Sequence, residues 1–277
     1  MRLTAPEADR SPRAAPQWQR RWWQLSQQIT RVPDAAAREL LLDQCLSADR
    51  PLALGFANAH ALNLSVHDEQ FAHHLASLDV LLRDGIGMAF LLRSLGLAAG
   101  LNLNGTDLIP QLIARVSVRA GQLASPLTDL LLLGTRTPWL HQAQAALRSQ
   151  GLSCEAEHGF LSALDYVHLA LRCRPRLIIL GMGMPRQENI ALTLRASLDF
   201  PCLIVCGGAI IDFLGGRVRR APGWVRALRC EWVWRLACEP RRLFGRYVIG
   251  NPLFIARACR LALRARHQAA HWVRLTR

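Results

Sequence analysis

Asp84 is the first residue whose type and position could support catalysis. It is separated from the apolar run 80–82 by one residue, Arg83, and precedes two glycines, Gly85 and Gly87, which would let a substrate approach the backbone closely. Its carboxylate could act as a general base and take a proton from an attacking hydroxyl group. It could also cap the helix that follows by accepting a backbone hydrogen bond, and the spacing alone favours this structural role.

Two further loops could bind an anion through the free amides at the start of a helix. In the segment 102–107, Thr106 or Asp107 could cap the following helix. The segment 181–188 directly follows an apolar run and resembles a phosphate-binding loop, but it has no Gly-Lys-Ser/Thr ending and fits the dinucleotide fingerprint poorly. Within it, Gln187 could donate hydrogen bonds to a diphosphate or a sugar.

The fourth segment, 206–222, combines glycines with an acid and a pair of arginines. Gly207 follows an apolar run, and Asp212 precedes the pair Arg219-Arg220. Guanidinium groups bind phosphate oxygens in a bidentate manner, so this segment could hold a ligand that carries phosphates.

Short apolar runs separated by helical patterns must place these four loops. The runs have the length and composition of buried strands, and they lie at 52–56, 80–82, 130–133, 177–180 and 203–205. Helical stretches between them include 59–75 and 138–150. The alternation predicts an α/β fold with a Rossmann-like, mostly parallel sheet covered by helices on both faces. Ligands bind beyond the carboxyl ends of such strands, so we expect the four loops to form one site.

The charge distribution divides the chain into three parts. Of the net charge of +14, +13 lies in residues 217–277, where 15 arginines accompany two acids. Apolar residues recur there at helical spacing, which predicts a basic amphipathic helical appendage that binds an anionic membrane surface.

Residues 34–216 form the Rossmann-like domain. Residues 1–33 have the composition of a poorly ordered basic arm ending in a short helix, whose tryptophans could lie at a lipid interface or pack on the body.

Composition disfavours several classes of protein and site. The eight cysteines form no Cys-x-x-Cys pair and have no histidines at metal-ligand spacing, so we predict no metal and no cofactor. No apolar stretch reaches the ~18 residues of a spanning helix, and no apolar core follows the N-terminal arginines as in a signal peptide. We expect a cytoplasmic protein, peripheral on the inner face of the cytoplasmic membrane. Nucleic-acid binding is a remote alternative that the high pI invites, but no recognised motif supports a nucleic-acid partner.

Several motifs in a fixed order give the chain a family resemblance. Residues 181–188 resemble the Gly-x-Gly-x-Pro-Lys/Arg-Gln-Glu signature of the WecG/TagA/CpsF family, glycosyltransferase family 26. Residues 212–242 resemble its carboxyl signature through Arg220-Ala221-Pro222, Glu231-Trp232, Arg235-Leu236 and Glu239-Pro240-Arg241. Upstream matches are Asp84-Gly85-x-Gly87, Gly105-Thr106-Asp107-Leu108 and His158-Gly159-Phe160. The resemblance spans roughly residues 50–250.

The resemblance implies an inverting, metal-independent transferase of cell-surface polysaccharide biosynthesis. Its donor would be a UDP-sugar, often UDP-N-acetylmannosamine, and its acceptor a sugar on a polyprenyl diphosphate. Asp84 matches the proposed general base, and the carboxyl appendage is thought to reach over the site and touch the membrane. The positions expected to contact the substrates are Asn58, Gly85, Gly87, Thr106, Asp107, Gly181, Gly183, Gln187, Glu188, Gly207, Asp212, Arg220 and Arg226.

Two positions depart from the family pattern where the sugars should bind. Thr-x-Asn often follows the family's first strand, and Phe56-Ala57-Asn58 keeps only the asparagine. The arginine often found before the Gly-Ser/Thr-Asp-Leu turn is replaced near Asn102. A UDP-glucose-dependent glucosyltransferase of exopolysaccharide assembly is therefore the runner-up function. The donor sugar, the linkage and the presence of a homo-oligomer stay open.

Overall fold

A six-stranded, fully parallel sheet forms the centre of the protein. The computed structural model describes residues 16–120, 128–228 and 230–275, with the backbone alone for 119–120, 226–227 and 267–275. The strands, in the sheet order β2-β1-β6-β5-β3-β4, are β1 Leu52–Ala57, β2 Val80–Arg83, β3 Leu130–Gly134, β4 Cys154–Glu157, β5 Leu177–Gly181 and β6 Leu203–Cys206. The predicted Rossmann-like α/β fold is confirmed.

The strand register brings the carboxyl ends of neighbouring strands to one level. Ala57 pairs with Arg83, and Leu180 pairs with Cys206. Strands β2, β3 and β6 are buried along their whole length, as expected when helices cover both faces of a parallel sheet. Strand β4 was not predicted because it lies at the sheet edge and its alternating, partly exposed residues include two glutamates.

Helices from the first 216 residues pack on both faces of the sheet and form two apolar cores. They are α1 Gln17–Gln28, α2 Ala35–Ser47, α3 Ala59–Ser65, α4 Glu69–Ala76, α5 Ile86–Ser94, α6 Gly105–Ala120, α7 Trp139–Arg148, α8 Ala163–Cys173, α9 Arg186–Ser197 and α10 Ile210–Leu214. The predicted helical stretch 59–75 consists of two helices, α3 and α4. Helix α3 ends at Ser65, and α4 begins after Asp68. The Asp68 carboxylate accepts a hydrogen bond from Phe71 N at 2.8 Å and caps α4.

The carboxyl part of the chain is helical and ends in one long helix. Its elements are α11 Gly223–Ala227, α12 Glu231–Cys238, α13 Pro240–Phe244, a π-helical turn Gly245–Ile249 and α14 Gly250–Leu275. Helix α14 packs on α3 and α5, and Phe254, Ala258 and Leu261 are buried there. Across the described ranges, every helix is too short or too polar to cross a bilayer.

The amino-terminal helix α1 packs on the body of the protein. The Trp22 side chain is fully buried, and its Nε1 donates a hydrogen bond to Leu62 O at 2.7 Å. Of the two locations considered for the tryptophans, Trp22 therefore takes the packed one. The rest of the predicted arm, residues 1–15, lies outside the described part of the chain.

Candidate active site

A cleft of about 1790 Å³ opens at the carboxyl edge of the sheet. Loops that follow all six strands contribute to its walls, through residues that include Asn58, Asp84, Thr135, Gly159, Met182 and Gly207. Ordinary small-molecule sites measure ~300–1,000 Å³. The cleft therefore has room for two substrates side by side.

Asp84 directly follows β2 and is fixed from two sides. Its backbone N–H donates to Ala57 O at 2.9 Å, and its Oδ2 accepts a hydrogen bond from Asn58 Nδ2 at 3.2 Å. Helix α5 begins at Ile86, with Gly85 as the N-cap at a φ of 90° and without a side-chain capping bond. The capping role that the spacing favoured for Asp84 is therefore wrong. The aspartate instead lines the cleft.

A buried arginine next to Asp84 holds the loops around it. Arg83 donates hydrogen bonds of 2.9 and 3.0 Å to the carbonyls of residues 99 and 100, and one of 3.0 Å to Gly85 O. Asn102 Oδ1 accepts a hydrogen bond from Gly85 N at 2.7 Å. These bonds tie the Asp84 loop to the segment before α6, so the position of the carboxylate is set by both.

Opposing electrostatic effects act on the Asp84 carboxyl. Burial raises its pKa above the ordinary value, and this effect outweighs the others. The hydrogen bond from Asn58 and the positive charges of Arg246, Arg235 and Arg83 act in the opposite direction and lower it. A carboxylate with a raised pKa is a stronger base, which suits proton abstraction from a hydroxyl group.

Two arginines of the carboxyl part, Arg235 and Arg246, line the same cleft. Burial of Arg246 lowers the pKa of its guanidinium. The pKa of His60 falls to about 4, because His60 is itself partly buried and lies near the positive charge of Arg246. Within the described part of the chain, the Nε atoms of both arginines are buried without a hydrogen-bond partner. A buried, unpaired donor on a cation is costly, so an anionic ligand is the expected partner.

Gln187 and Glu188 form a buried polar pair behind the Gly207-Gly208 turn. Gln187 Nε2 donates to Glu188 Oε1 at 2.8 Å, while Gln187 Oε1 accepts a hydrogen bond from Gly208 N at 3.0 Å. Glu188 is 0% exposed, and burial raises the pKa of its carboxyl to about 7. The pair fixes the orientation of the Gln187 amide and, through it, the turn that lines the cleft.

Glu188→Gln is expected to stabilise the protein at alkaline pH and to have little effect under acidic conditions. The folded pKa of about 7 lies above the ordinary 4.5, so between these values the folded protein keeps a proton that the unfolded chain has lost. The contribution of Glu188 to the free energy of unfolding therefore falls by about 3 kcal/mol as the pH rises through this window, and it stays low above it. Urea unfolding at about pH 4.5 and pH 8 measures the difference. Identical pH dependence in the two proteins would contradict the buried, protonated carboxyl.

The loop before α6 differs in detail from the prediction. Asn104 caps the helix, because its Oδ1 accepts a hydrogen bond from Asp107 N at 2.9 Å. The prediction that Thr106 or Asp107 caps it is wrong, since both residues lie inside the first turn. Asp107 lines the cleft and forms an ion pair with Arg220, which places that arginine beside the site.

Asp212 joins two of the loops at the cleft. It is 8% exposed, accepts a hydrogen bond from Thr135 Oγ1 at 2.5 Å and forms an ion pair with Arg217 Nη1 at 3.3 Å. These contacts hold α10 against the loop after β3 and leave the carboxylate at the cleft wall.

The cleft brings most of the predicted residues together. Those that line it are Asn58, Asp84, Gly85, Gly87, Thr106, Asp107, Gly181, Gly183, Gln187, Gly207 and Asp212. Glu188 lies behind Gln187, and Arg220 lies beside Asp107. Arg226 belongs to α11, but its side chain is outside the described part of the chain.

Sequence reasoning did not single out Arg235 and Arg246 as site residues. The carboxyl part holds 15 arginines, and their number hides the ones that turn inward. One usable signal was the separation of Arg235, Arg242 and Arg246 by seven and four residues, a spacing that would place the side chains on one face of a continuous helix. All three line the cleft.

Known proteins with similar sequences indicate the family to which the chain belongs. The chain is 24% identical over 191 residues to N-acetylglucosaminyldiphosphoundecaprenol N-acetyl-beta-D-mannosaminyltransferases of Staphylococcus aureus, including those of strains NCTC 8325 / PS 47, COL and MRSA252. Each alignment covers 68% of this chain and 72% of the relative. The sequence model of the glycosyl transferase WecG/TagA/CpsF family matches residues 24–268. The predicted resemblance is confirmed: the chain is a glycosyltransferase and belongs to the WecG/TagA/CpsF family.

Proposed function

We propose that the protein is an inverting, metal-independent glycosyltransferase that moves a hexose or N-acetylhexosamine from a UDP-sugar to a polyprenyl-diphosphate-linked sugar. N-acetylmannosamine is the favoured sugar, since the relatives from Staphylococcus aureus are named as N-acetylmannosaminyltransferases acting on such a lipid. The observation that carries the proposal is that one cleft contains a partly buried carboxylate, Asp84, and two arginines, Arg235 and Arg246, whose Nε atoms are buried.

In the proposed mechanism, Asp84 accepts the proton of the acceptor hydroxyl as the oxygen attacks the anomeric carbon. A new glycosidic bond forms as the bond from the anomeric carbon to the UDP oxygen breaks, so a single displacement inverts the configuration at that carbon. Asn58 donates to Asp84 Oδ2 at 3.2 Å and thereby orients the base.

The departing UDP gains negative charge, and the cleft must stabilise it. Arg235 and Arg246 supply guanidinium groups whose buried Nε atoms have no partner among the described residues. Fixed donors in a poorly solvated site stabilise developing charge more strongly than water does. The turn at Gly207-Gly208, held by Gln187, adds a glycine backbone that a nucleotide can approach closely.

A screen of UDP-sugars with a synthetic lipid diphosphate that carries N-acetylglucosamine tests the proposal. Transfer from UDP-N-acetylmannosamine with inversion, read by NMR of the product, is the expected result. Transfer from UDP-glucose alone would support the runner-up glucosyltransferase. Binding of none of the UDP-sugars, measured by calorimetry, would contradict the proposal as a whole.

The carboxyl helices also support peripheral binding to an anionic membrane. Large apolar side chains are exposed there, at Trp224, Leu228, Phe244, Val248, Ile249, Leu253 and Ile255. The same segment carries most of the net positive charge. Interfacial helices combine these two features, and each arginine near anionic lipid contributes about 1 kcal/mol.

The protein is expected to sediment with vesicles that contain anionic phospholipid, and this binding should weaken as salt is added. Neutral vesicles should bind less, because only the apolar contribution remains. Vesicle pelleting over a range of salt concentrations measures both effects. The double variant Phe244→Ser/Ile249→Ser is a useful comparison, since both side chains are more than half exposed and their loss should weaken binding to either vesicle. Equal binding to neutral and anionic vesicles would contradict the charge contribution.

A further inference from the structure

The amino-terminal helix α1 has a role that the transferase chemistry does not explain. Trp22 lies just before residue 24, where the match to the family begins. Its side chain is nevertheless 0% exposed, and its indole N–H donates to Leu62 O at 2.7 Å. Its ring packs against Phe254 of α14, with the two ring centroids 5.2 Å apart. Helix α1 therefore touches the helix that follows the arginine-bearing turn.

Phe254 in turn touches the first turn of helix α5, which follows the Asp84 loop. It is 1% exposed and lines the cleft. A Cβ atom placed on Gly87 would lie 3.2 Å from Phe254 Cε1, so the phenyl ring occupies the space that the missing side chain leaves. A continuous line of packed groups thus runs from Trp22 through Phe254 to Gly87, three residues after Asp84.

Helix α3 holds the amino end of α14 in the same place. Asn63 Nδ2 donates to Gly250 O at 2.7 Å, and Asn63 Oδ1 accepts a hydrogen bond from Arg257 Nη1 at 2.9 Å. Helix α1 contacts the carboxyl end of α3 as well, since Arg21 Nη1 donates a hydrogen bond to Ser65 O at 3.3 Å. Gly250 directly follows the π-helical turn that carries Arg246, so these contacts also fix that turn.

We propose that Trp22 is a positioning residue, which through Phe254 holds the π-helical turn and Arg246 beside Asp84. This inference rests on the proposed function for its effect on catalysis. Trp22 itself contacts no reacting atom. Helix α1 stabilises the packing of the carboxyl helices on α3 and α5. The transferase site is complete only while those helices are packed there.

The pH dependence of turnover gives this role a signature that general loss of stability does not share. The charged groups facing Asp84 are Arg83, Arg235 and Arg246, and their charges lower the pKa of its carboxyl against the effect of burial. The nearby His60 is neutral above about pH 4. If the turn moves away, Asp84 loses both the charge of Arg246, which lowers its pKa, and part of the burial that raises it, so the acidic limb of kcat/KM moves with the change in this pKa.

The test compares Trp22→Ala, Trp22→Phe and Phe254→Leu with Phe71→Ala. Phe71 is 1% exposed in the same apolar core but belongs to α4, so its variant controls for lost packing. Two quantities are measured well below the unfolding temperature: amide hydrogen exchange of residues 245–254 without substrate, and kcat, KM and the pH profile with substrate.

Trp22→Ala is expected to speed exchange in residues 245–254, to lower kcat about 10- to 100-fold and to shift the acidic limb of the pH profile, while Trp22→Phe restores most of each. Phe71→Ala should lower thermal stability without the pH shift.

If Trp22→Ala does not fold, Phe254→Leu carries the same expectations. Unchanged exchange and pH profile in both would overturn the proposal, as would an equal shift in Phe71→Ala. Absence of transferase activity in the unmodified protein would refute the proposed function, whereas the exchange result would still decide whether Trp22 holds the turn.

Discussion

Asp84→Asn is expected to lower kcat by ~100-fold or more while UDP binding stays close to that of the unmodified protein. Asparagine keeps the size of the side chain and an oxygen that can accept the hydrogen bond from Asn58, so the loop should hold its shape. It cannot accept the proton of the acceptor hydroxyl. The loss should therefore fall on the chemical step, and single-turnover kinetics with UDP calorimetry separates the two.

The pH dependence of kcat/KM provides a second test of Asp84 as the base. In the unmodified protein, kcat/KM should fall as the pH drops through the pKa of Asp84, which burial raises above its ordinary value. The Asn variant should lose this acidic limb. Asp199→Asn is a matched control, since it removes one exposed acid that pairs with Arg174 away from the cleft lining. Near-normal turnover in Asp84→Asn would return the aspartate to a structural role.

Arg246→Ala is expected to lower kcat by ~100- to 1,000-fold, the range found when one fixed donor to a developing negative charge is removed. The physical reason is that Arg246 lines the cleft and its Nε atom is buried without a hydrogen-bond partner among the described residues. Affinity for UDP should fall as well, because the product carries the charge that the arginine stabilises. Initial rates and UDP calorimetry measure the two effects.

Two comparisons identify the source of the Arg246 effect. Arg260→Ala removes an arginine from the exposed side of α14 and should leave turnover on a short-chain, water-soluble acceptor unchanged. The double variant Arg235→Ala/Arg246→Ala should lose less activity than two independent losses would give, if both arginines act on the same diphosphate. Full activity in Arg246→Ala would refute the proposed stabilisation of UDP.

The sequence predicted the parallel sheet because its buried strands are continuous apolar runs. Strand Leu130–Gly134 is an example, since four leucines leave no period-2 pattern and indicate burial on both faces. It also predicted that loops after the strands would meet, and Asn58 and Asp84 do so at 3.2 Å. These predictions needed only local composition and the general geometry of parallel sheets.

The sequence could not predict contacts that depend on tertiary packing. Whether Asp84 caps its own helix or points into a cleft is decided by Gly85, which takes the capping position itself. Arg246 is one of many arginines in the carboxyl part of the chain. Its place in the cleft depends on the packing of α14 on α3 and α5. The contact between Trp22 and Phe254 joins residues more than 200 positions apart in the sequence. Local hydrophobic periodicity cannot predict a contact of this kind.

The Nε atoms of Arg235 and Arg246, which have no partner among the described residues, would also affect how the enzyme completes its cycle under the proposed mechanism. Groups that attract a diphosphate while its bond to the sugar is breaking attract the liberated nucleotide afterwards. If the donor is a UDP-sugar as proposed, departure of UDP would be a slow step, and an accumulating pool of free UDP would compete with fresh donor. A cell that hydrolyses UDP promptly would keep such a transferase turning over, so its rate would follow the local balance between nucleotide sugar and spent nucleotide.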